Sequence, residues 1–304
     1  MRGGRLGHAT IFPLEKLTEN HVSIVGMSYR CCLASYRSMD VVVKMNERSL
    51  PATSVTPHRS LGFRITGLIL RMFRPLLKVN LLAYRIEIGN ALFPSGKSEG
   101  EVVGTDPVRI LFIGDIAANS YGVLNHGLGV GSKAARFVAR EHNIGCIWTS
   151  ISSTELTMSR TANELCSMEL AVDAVVLLLG SPDVLLGTTR TAWTQSLERI
   201  VEAARQSANP DCRVVIAAIP PMHRFRAMPR FVKRILALQV QRLNGASVSV
   251  AAASPGVTYS PFPSLATDGM FIEDAFNWRA VHDQWGKQLG ATTARALKPG
   301  SPAT

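Results

Sequence analysis

The chain has 304 residues and a mass of 33.0 kDa, enough for one large domain with a sizeable core and too much for a disulfide mini-protein. Hydrophobic residues make up 46% and charged residues 18%, which excludes a disordered or collagen-like chain. The net charge of +11 is concentrated early: residues 1–105 hold 14 Lys/Arg against 7 Asp/Glu, and residues 106–304 hold 19 against 15. A charge confined to one third of the chain, with no RRM, KH or helix-turn-helix pattern beside it, argues against nucleic acid as the partner.

Residues 1–60 show no sustained hydrophobic period and are read as irregular or as a mis-assigned start, with Met27, Met39 and Met45 as alternative starts. They lack the continuous apolar core and small-residue cleavage site of a secretory signal. Five cysteines, two of them the adjacent Cys31 and Cys32, form no CxxC pair and have no histidines at zinc-finger spacing. An odd count of unpaired cysteines suits a reducing compartment, so a cytoplasmic location is expected, and no metal or cofactor is expected.

Residues 61–105 are expected to form a basic amphipathic helix and a linker. Arg64, Arg71, Arg74, Lys78 and Arg85 fall within an arc of roughly 80° at helical spacing, while Ile65, Leu68, Ile69, Phe73, Leu76, Leu77 and Leu81 fill the rest. Central charges argue against a spanning helix. Two readings stay open: a helix lying on an anionic membrane surface, peripheral at its inner face, or a helix packed on the domain with snorkelling basic ends. Pro75 suits the first turn of a second helix better than a helix interior.

From residue 106 to 297 the pattern becomes regular. Apolar runs at 109–114, 145–150, 173–180, 213–219 and 247–253 are read as strands buried on both faces. They alternate with helix-period stretches around 132–142, 155–170, 189–207, 229–245 and 273–297. This predicts a three-layer α/β/α, doubly wound, flavodoxin-like parallel sheet, followed by a tail at 298–304. Ligands of such sheets sit at the carboxyl ends of the strands.

Those ends carry Gly114-Asp115-Ile116-Ala117-Ala118-Asn119-Ser120, then Gly180-Ser181-Pro182-Asp183, and, before the last helix, Asp268-Gly269-Met270-Phe271. Phosphate loops and a GxSxG elbow are absent. In order and context these blocks resemble the SGNH (GDSL-type) hydrolases, over about residues 109–290. Ile219-Pro220-Pro221-Met222-His223-Arg224-Phe225 extends the likeness toward an actinobacterial branch. The resemblance implies an esterase-like domain whose nucleophilic serine, oxyanion glycine, oxyanion asparagine and general-base histidine would fall at Ile116, Ser153, Pro182 and Phe271, with the orienting carboxylate at Asp268. A hydroxyl, an imidazole, a carboxylate and several donors are what acyl transfer demands. Most of those types are replaced here, so the resemblance implies a pseudo-hydrolase that binds a small amphiphilic, acylated or anionic ligand. The alternatives are an active ester hydrolase or acyltransferase with relocated groups and a membrane-surface interaction protein.

Asp115, Asn119, Ser120, His126, Ser181, Asp183, His223 and Arg224 are the candidate cleft-lining residues, with Ser152 and Ser153 as further hydroxyls. Asp115 is expected to tie the first loop together, and Asp268 to cap the last helix or bond loop amides. His282, about three helical turns beyond Phe271 with Asp283 beside it, is read as part of a solvated helix face. The oligomeric state is not legible in the sequence.

Overall fold

A computed structural model of the chain describes residues 67, 70–91, 93–207, 211–225, 228–264, 271, 272 and 275–298, all within one compact unit, Arg59–Thr304. The readings of residues 1–60, of Arg64 and of Asp268 lie outside the described residues.

Helix α1, Arg74–Gly89, has Pro75 in its first turn, where a missing N–H costs nothing. It buries Leu76, Leu77, Leu81, Tyr84 and Ile88, and exposes Lys78, Arg85 and two apolar residues, Leu82 and Ile86. The Tyr84 hydroxyl donates to the Thr154 carbonyl at 2.8 Å, and Arg85 pairs with Glu155 at 2.8 Å. The helix is therefore packed on the domain, with its basic side in solvent.

The sheet comprises β1 (Glu99–Val102), β2 (Val108–Gly114), β3 (Cys146–Ser152), β4 (Ala174–Leu178), β5 (Arg213–Ala217) and β6 (Val257–Ser260), in the order β1-β3-β2-β4-β5-β6. Strands β2 to β6 are parallel, and β1 lies antiparallel on β3. Without the edge strand the order is that of a flavodoxin-like doubly wound sheet, whose switch point falls between β2 and β4. Helices α2 (Val130–His142) and α7 (Trp278–Leu297) cover one face, where Phe112, Val130, Ala134, Val138, Trp285 and Leu289 form a continuous core. Helices α3 (Met158–Leu165), α5 (Arg190–Ser207) and α6 (Arg230–Ala253) pack together away from them, with Trp193 of α5 donating to Ser247 of α6 at 3.0 Å. Between α3 and α5 a short helix, α4 (Ser181–Leu186), follows β4 directly.

One expected strand is corrected. Residues 247–253 are the last turns of α6, and the strand that follows is Val257–Ser260. Leu243, Ser247, Val250 and Ala251 are buried while Val248 is exposed, a helical rather than an alternating pattern. The last helix starts at Trp278 rather than 273, capped by the Asn277 side chain, which accepts from the Ala280 N–H at 3.1 Å. A two-strand ribbon, β7 (Phe271–Ile272) with β8 (Ala275–Phe276), occupies the residues before it.

Candidate functional site

The loop after β2 and the turn after β4 meet at the switch point. Gly114 lies so close to β4 that a Cβ there would stand 2.4 Å from the Leu178 carbonyl, which lets the two strand ends close up. Asp115 follows and is buried. Its Oδ1 accepts the Ala117 N–H at 3.3 Å, and its Oδ2 accepts the Ser181 N–H at 2.8 Å. Burial pushes its carboxyl above the ordinary aspartate value, and the donors from Ser181, Ala117 and Gly180 oppose the shift. Asp115 thus ties the first loop together, as expected, and joins it to α4 as well.

Gly180 makes the turn into α4 with φ +139°, a conformation left to glycine. Asp183, one turn on and also buried, accepts from the Met158 N–H at 2.9 Å with Oδ2 and from the Thr188 hydroxyl at 2.9 Å with Oδ1. Its carboxyl is pushed up to about 6, by burial first and by the nearby Asp115 charge. Both aspartates hold backbone in place. Pro182 is buried in the first turn of α4 and brings neither a side-chain donor nor an N–H.

Beside these loops lies a cavity of about 80 Å³. Its apolar wall includes Ile88, Ile116, Met222, Phe225, Phe262, Val281 and Trp285, and its polar groups are Tyr84, Glu87, Tyr121, Ser181 and His282. Aromatic rings brace it: Tyr121 meets Trp278 edge-on at 4.8 Å between centroids, and Phe262 meets Trp285 at 5.0 Å.

Of the expected cleft residues, Ser181 lines this cavity, and so does Ile116, at the position the resemblance assigns to the nucleophile. Asn119 accepts a hydrogen bond from Ser152 at 3.2 Å. Ser120, at φ +59°, and His126 are both buried and approach each other at 3.3 Å between Oγ and Nδ1, but neither is in the cavity wall. His223 is half-buried and Arg224 exposed, flanked by Met222 and Phe225, which do line the cavity. Burial and the neighbouring Arg224 and Lys233 charges lower the His223 pKa. The Ser153 N–H donates to the Gly114 carbonyl at 3.2 Å. Phe271 pairs across the ribbon with Phe276, so a whole hairpin separates it from the start of α7.

His282 is a correction. It is 3% exposed rather than part of a solvated face, and it lines the cavity. The Tyr121 carbonyl lies 2.8 Å from Nε2 and can only accept, so Nε2 carries the proton. Burial lowers the ring's pKa and so favours the neutral form, with the Tyr121 bond and the Asp283 charge opposing. The sequence carried a signal for this: Val281, His282, Trp285 and Leu289 recur at helical spacing, so the histidine belongs to the buried stripe. Tyr84, Glu87 and Ile88 had no such signal, because nothing local says that α1 closes the cavity.

Comparison with curated proteins finds no match. Among solved structures the chain is similar to TesA (18% identity, TM-score 0.46, covering 63% of this chain and 98% of that one). It is also similar to the psychrotrophic esterase EstA from Pseudoalteromonas sp. (16%, 0.44, 61% and 96%) and to the M. smegmatis aryl esterase in inhibitor-bound form (17%, 0.44, 63% and 100%). The model of the GDSL-like lipase/acylhydrolase family matches residues 112–291, more than half of the chain, from within β2 into α7 and across both switch-point loops. On that match, the chain belongs to the GDSL-like lipase/acylhydrolase family.

Proposed function

We propose that the domain is a pseudo-hydrolase, which holds a small amphiphilic molecule in the cavity at its strand ends and does not cleave it. The observation that carries this reading is that, among the described residues, no serine hydroxyl of the cavity wall is hydrogen-bonded to a histidine. Ile116 has no hydroxyl, the Ser181 hydroxyl bonds Asp115, and the His282 Nε2–H is taken by Tyr121. Two backbone donors beside the strand ends are spent as well, since Ser153 N–H goes to Gly114 and Ser181 N–H to Asp115. Acyl transfer needs an activated nucleophile and free donors for the oxyanion, and loss of either costs orders of magnitude in rate.

The test is turnover of p-nitrophenyl butyrate and labelling by a fluorophosphonate. Neither is expected above background. Labelling that disappears in Ser120→Ala would instead support an active hydrolase or acyltransferase with relocated groups, built on the Ser120–His126 pair.

A second reading, attachment of the domain to an anionic membrane surface from the cytoplasmic side, is favoured by α1. Leu82 and Ile86 are 59% and 51% exposed and share a helix face flanked by Lys78 and Arg74. Among the described residues no helix is long and apolar enough to cross a membrane. Because Tyr84 and Ile88 of α1 also line the cavity, the helix is tested by point changes rather than deletion. Lys78→Glu with Ile86→Glu should abolish sedimentation with phosphatidylserine vesicles, each engaged cation being worth about 1 kcal/mol and screened by salt. Unchanged sedimentation removes α1 from the interaction.

A further inference from the structure

The cavity at the strand ends is walled in large part by aromatic rings. Tyr121, Trp278, Phe225, Phe262 and Trp285 all line it, and in that order successive ring centroids lie 4.8, 5.9, 6.2 and 5.0 Å apart. Their planes stand at 84°, 67°, 56° and 66° to one another, so the wall turns corners as the sides of a box do instead of forming a flat stack. The first four are half-buried and keep accessible surface, whereas Trp285 is buried. Among the described lining residues the one carboxylate is that of Glu87, which is exposed and marks where the cavity meets solvent. None of those residues is a lysine or arginine, although the chain carries 33 of them. The volume of about 80 Å³ is roughly half that of an apolar cavity that takes up benzene, so it admits a head of about four heavy atoms and not an acyl chain.

Resting on the reading of the cavity as a ligand site, we infer that it takes a methylated ammonium head, the trimethylammonium group that choline carries free and a phosphocholine lipid carries at its tip. Aromatic rings attract cations through their quadrupole, most strongly where water is excluded, and a carboxylate at the edge adds a charge of the right sign. A trimethylammonium brings no hydrogen-bond donor, so it enters a wall of rings without leaving a donor unanswered. A primary ammonium brings three donors. The few polar groups of the wall do not meet that demand, since the Ser181 hydroxyl is engaged by Asp115 and the Nε2–H of His282 by Tyr121. A carboxylate or phosphate in the cavity would face the like charge of Glu87 with no arginine or lysine among the described lining residues to offset it. The head thus occupies the space beside Ile116, where the resemblance sets the nucleophile, and the rest of the molecule stays outside.

Calorimetric titration of the full chain in low-salt buffer tests this with three probes of like shape: choline, its uncharged carbon isostere neohexanol, and the anion tert-butylacetate. Choline is expected to bind about tenfold more tightly than neohexanol, with the anion weakest. Glu87→Gln, on the exposed side of α1, should weaken choline about threefold and leave neohexanol unchanged. Trp278→Leu keeps apolar bulk and removes a ring, and it should take away most of the preference for choline. Dodecylphosphocholine below its micelle concentration separates the two sources: tighter binding than choline assigns the site to a lipid-borne head, and weaker binding to a free one. Equal affinity for choline and neohexanol overturns the head-group inference and leaves the cavity-binding reading standing. Binding of no probe overturns both, and hydrolysis of p-nitrophenyl butyrate overturns the pseudo-hydrolase reading alone. Because the wild-type probe series decides the question, a variant that fails to fold does not obscure it.

Discussion

Oδ2 of Asp115 accepts the Ser181 N–H at 2.8 Å, so the loop leaving β2 and the first turn of α4 are held as one piece at the switch point of the sheet. Oδ1 of the same carboxylate accepts the Ala117 N–H inside its own loop. A catalytic acid would have to give up such bonds to act. Here the carboxylate serves as a rivet between two strand ends.

Asp115→Ala should therefore lower stability by about 2–4 kcal/mol, because two buried N–H groups lose their acceptor at once. Urea unfolding followed by circular dichroism measures it. A loss below about 0.5 kcal/mol would mean that water or a neighbouring carbonyl replaces the carboxylate.

At Gly180 the cost is steric. A Cβ there would lie 2.4 Å from Ile219 Cγ1, and the φ of +139° strains any L side chain. Gly180→Ala is expected to cost about 2–4 kcal/mol. Pairing it with Ile219→Ala relieves the clash but not the backbone strain, so the double variant should recover less than the clash alone predicts once the separate cost of Ile219→Ala is subtracted.

Helix α1 lies outside the residues matched to the family and yet belongs to this domain. Leu77 is fully buried and Leu82 is 59% exposed. Leu77→Ala should cost about 2–5 kcal/mol, whereas Leu82→Ala should stay within about 0.5 kcal/mol. Similar small effects for both would show that α1 detaches freely from the sheet.

Asp183 makes stability depend on pH. Its carboxyl rises in the folded chain from 3.8 to about 6, so between those values the native state holds more proton than the unfolded one. Its favourable contribution is complete below the unfolded value and is lost as pH rises through about 6. Asp183→Asn keeps an oxygen for the Met158 N–H and removes the titration. The stability difference, variant minus wild type, should accordingly grow as pH is raised from about 4 to about 7 in denaturant titrations. A difference that shrinks over that range would contradict the direction of the shift.

Strands β2, β4 and β5 were legible in the sequence because burial on both faces leaves near-continuous apolar runs such as Ile110-Leu-Phe-Ile113 and Ala174-Val-Val-Leu-Leu178. The same rule failed at 247–253. A helix whose outer positions are small or β-branched, as at Val248, carries a similar composition, and only the contacts of Leu243, Ser247 and Val250 with the domain distinguish the two. Strand β1 left no apolar run to find, being a half-exposed edge. In the site, Asp115, Ser181 and Asp183 stood out because the residues following a parallel strand are local in the chain and fixed in type by the turn they make. His282 and Trp285, by contrast, come from α7, more than 90 residues after Ser181, and Tyr84 and Ile88 come from a helix that precedes the sheet. The sequence by itself determined the layered fold and the identity of the strand-end loops, since those follow from local periodicity and turn chemistry. Which distant side chains wall the cavity, and that a histidine on an outer helix turns inward, was decided by tertiary packing, because only the docking of α1 and α7 on the sheet brings those groups to one place.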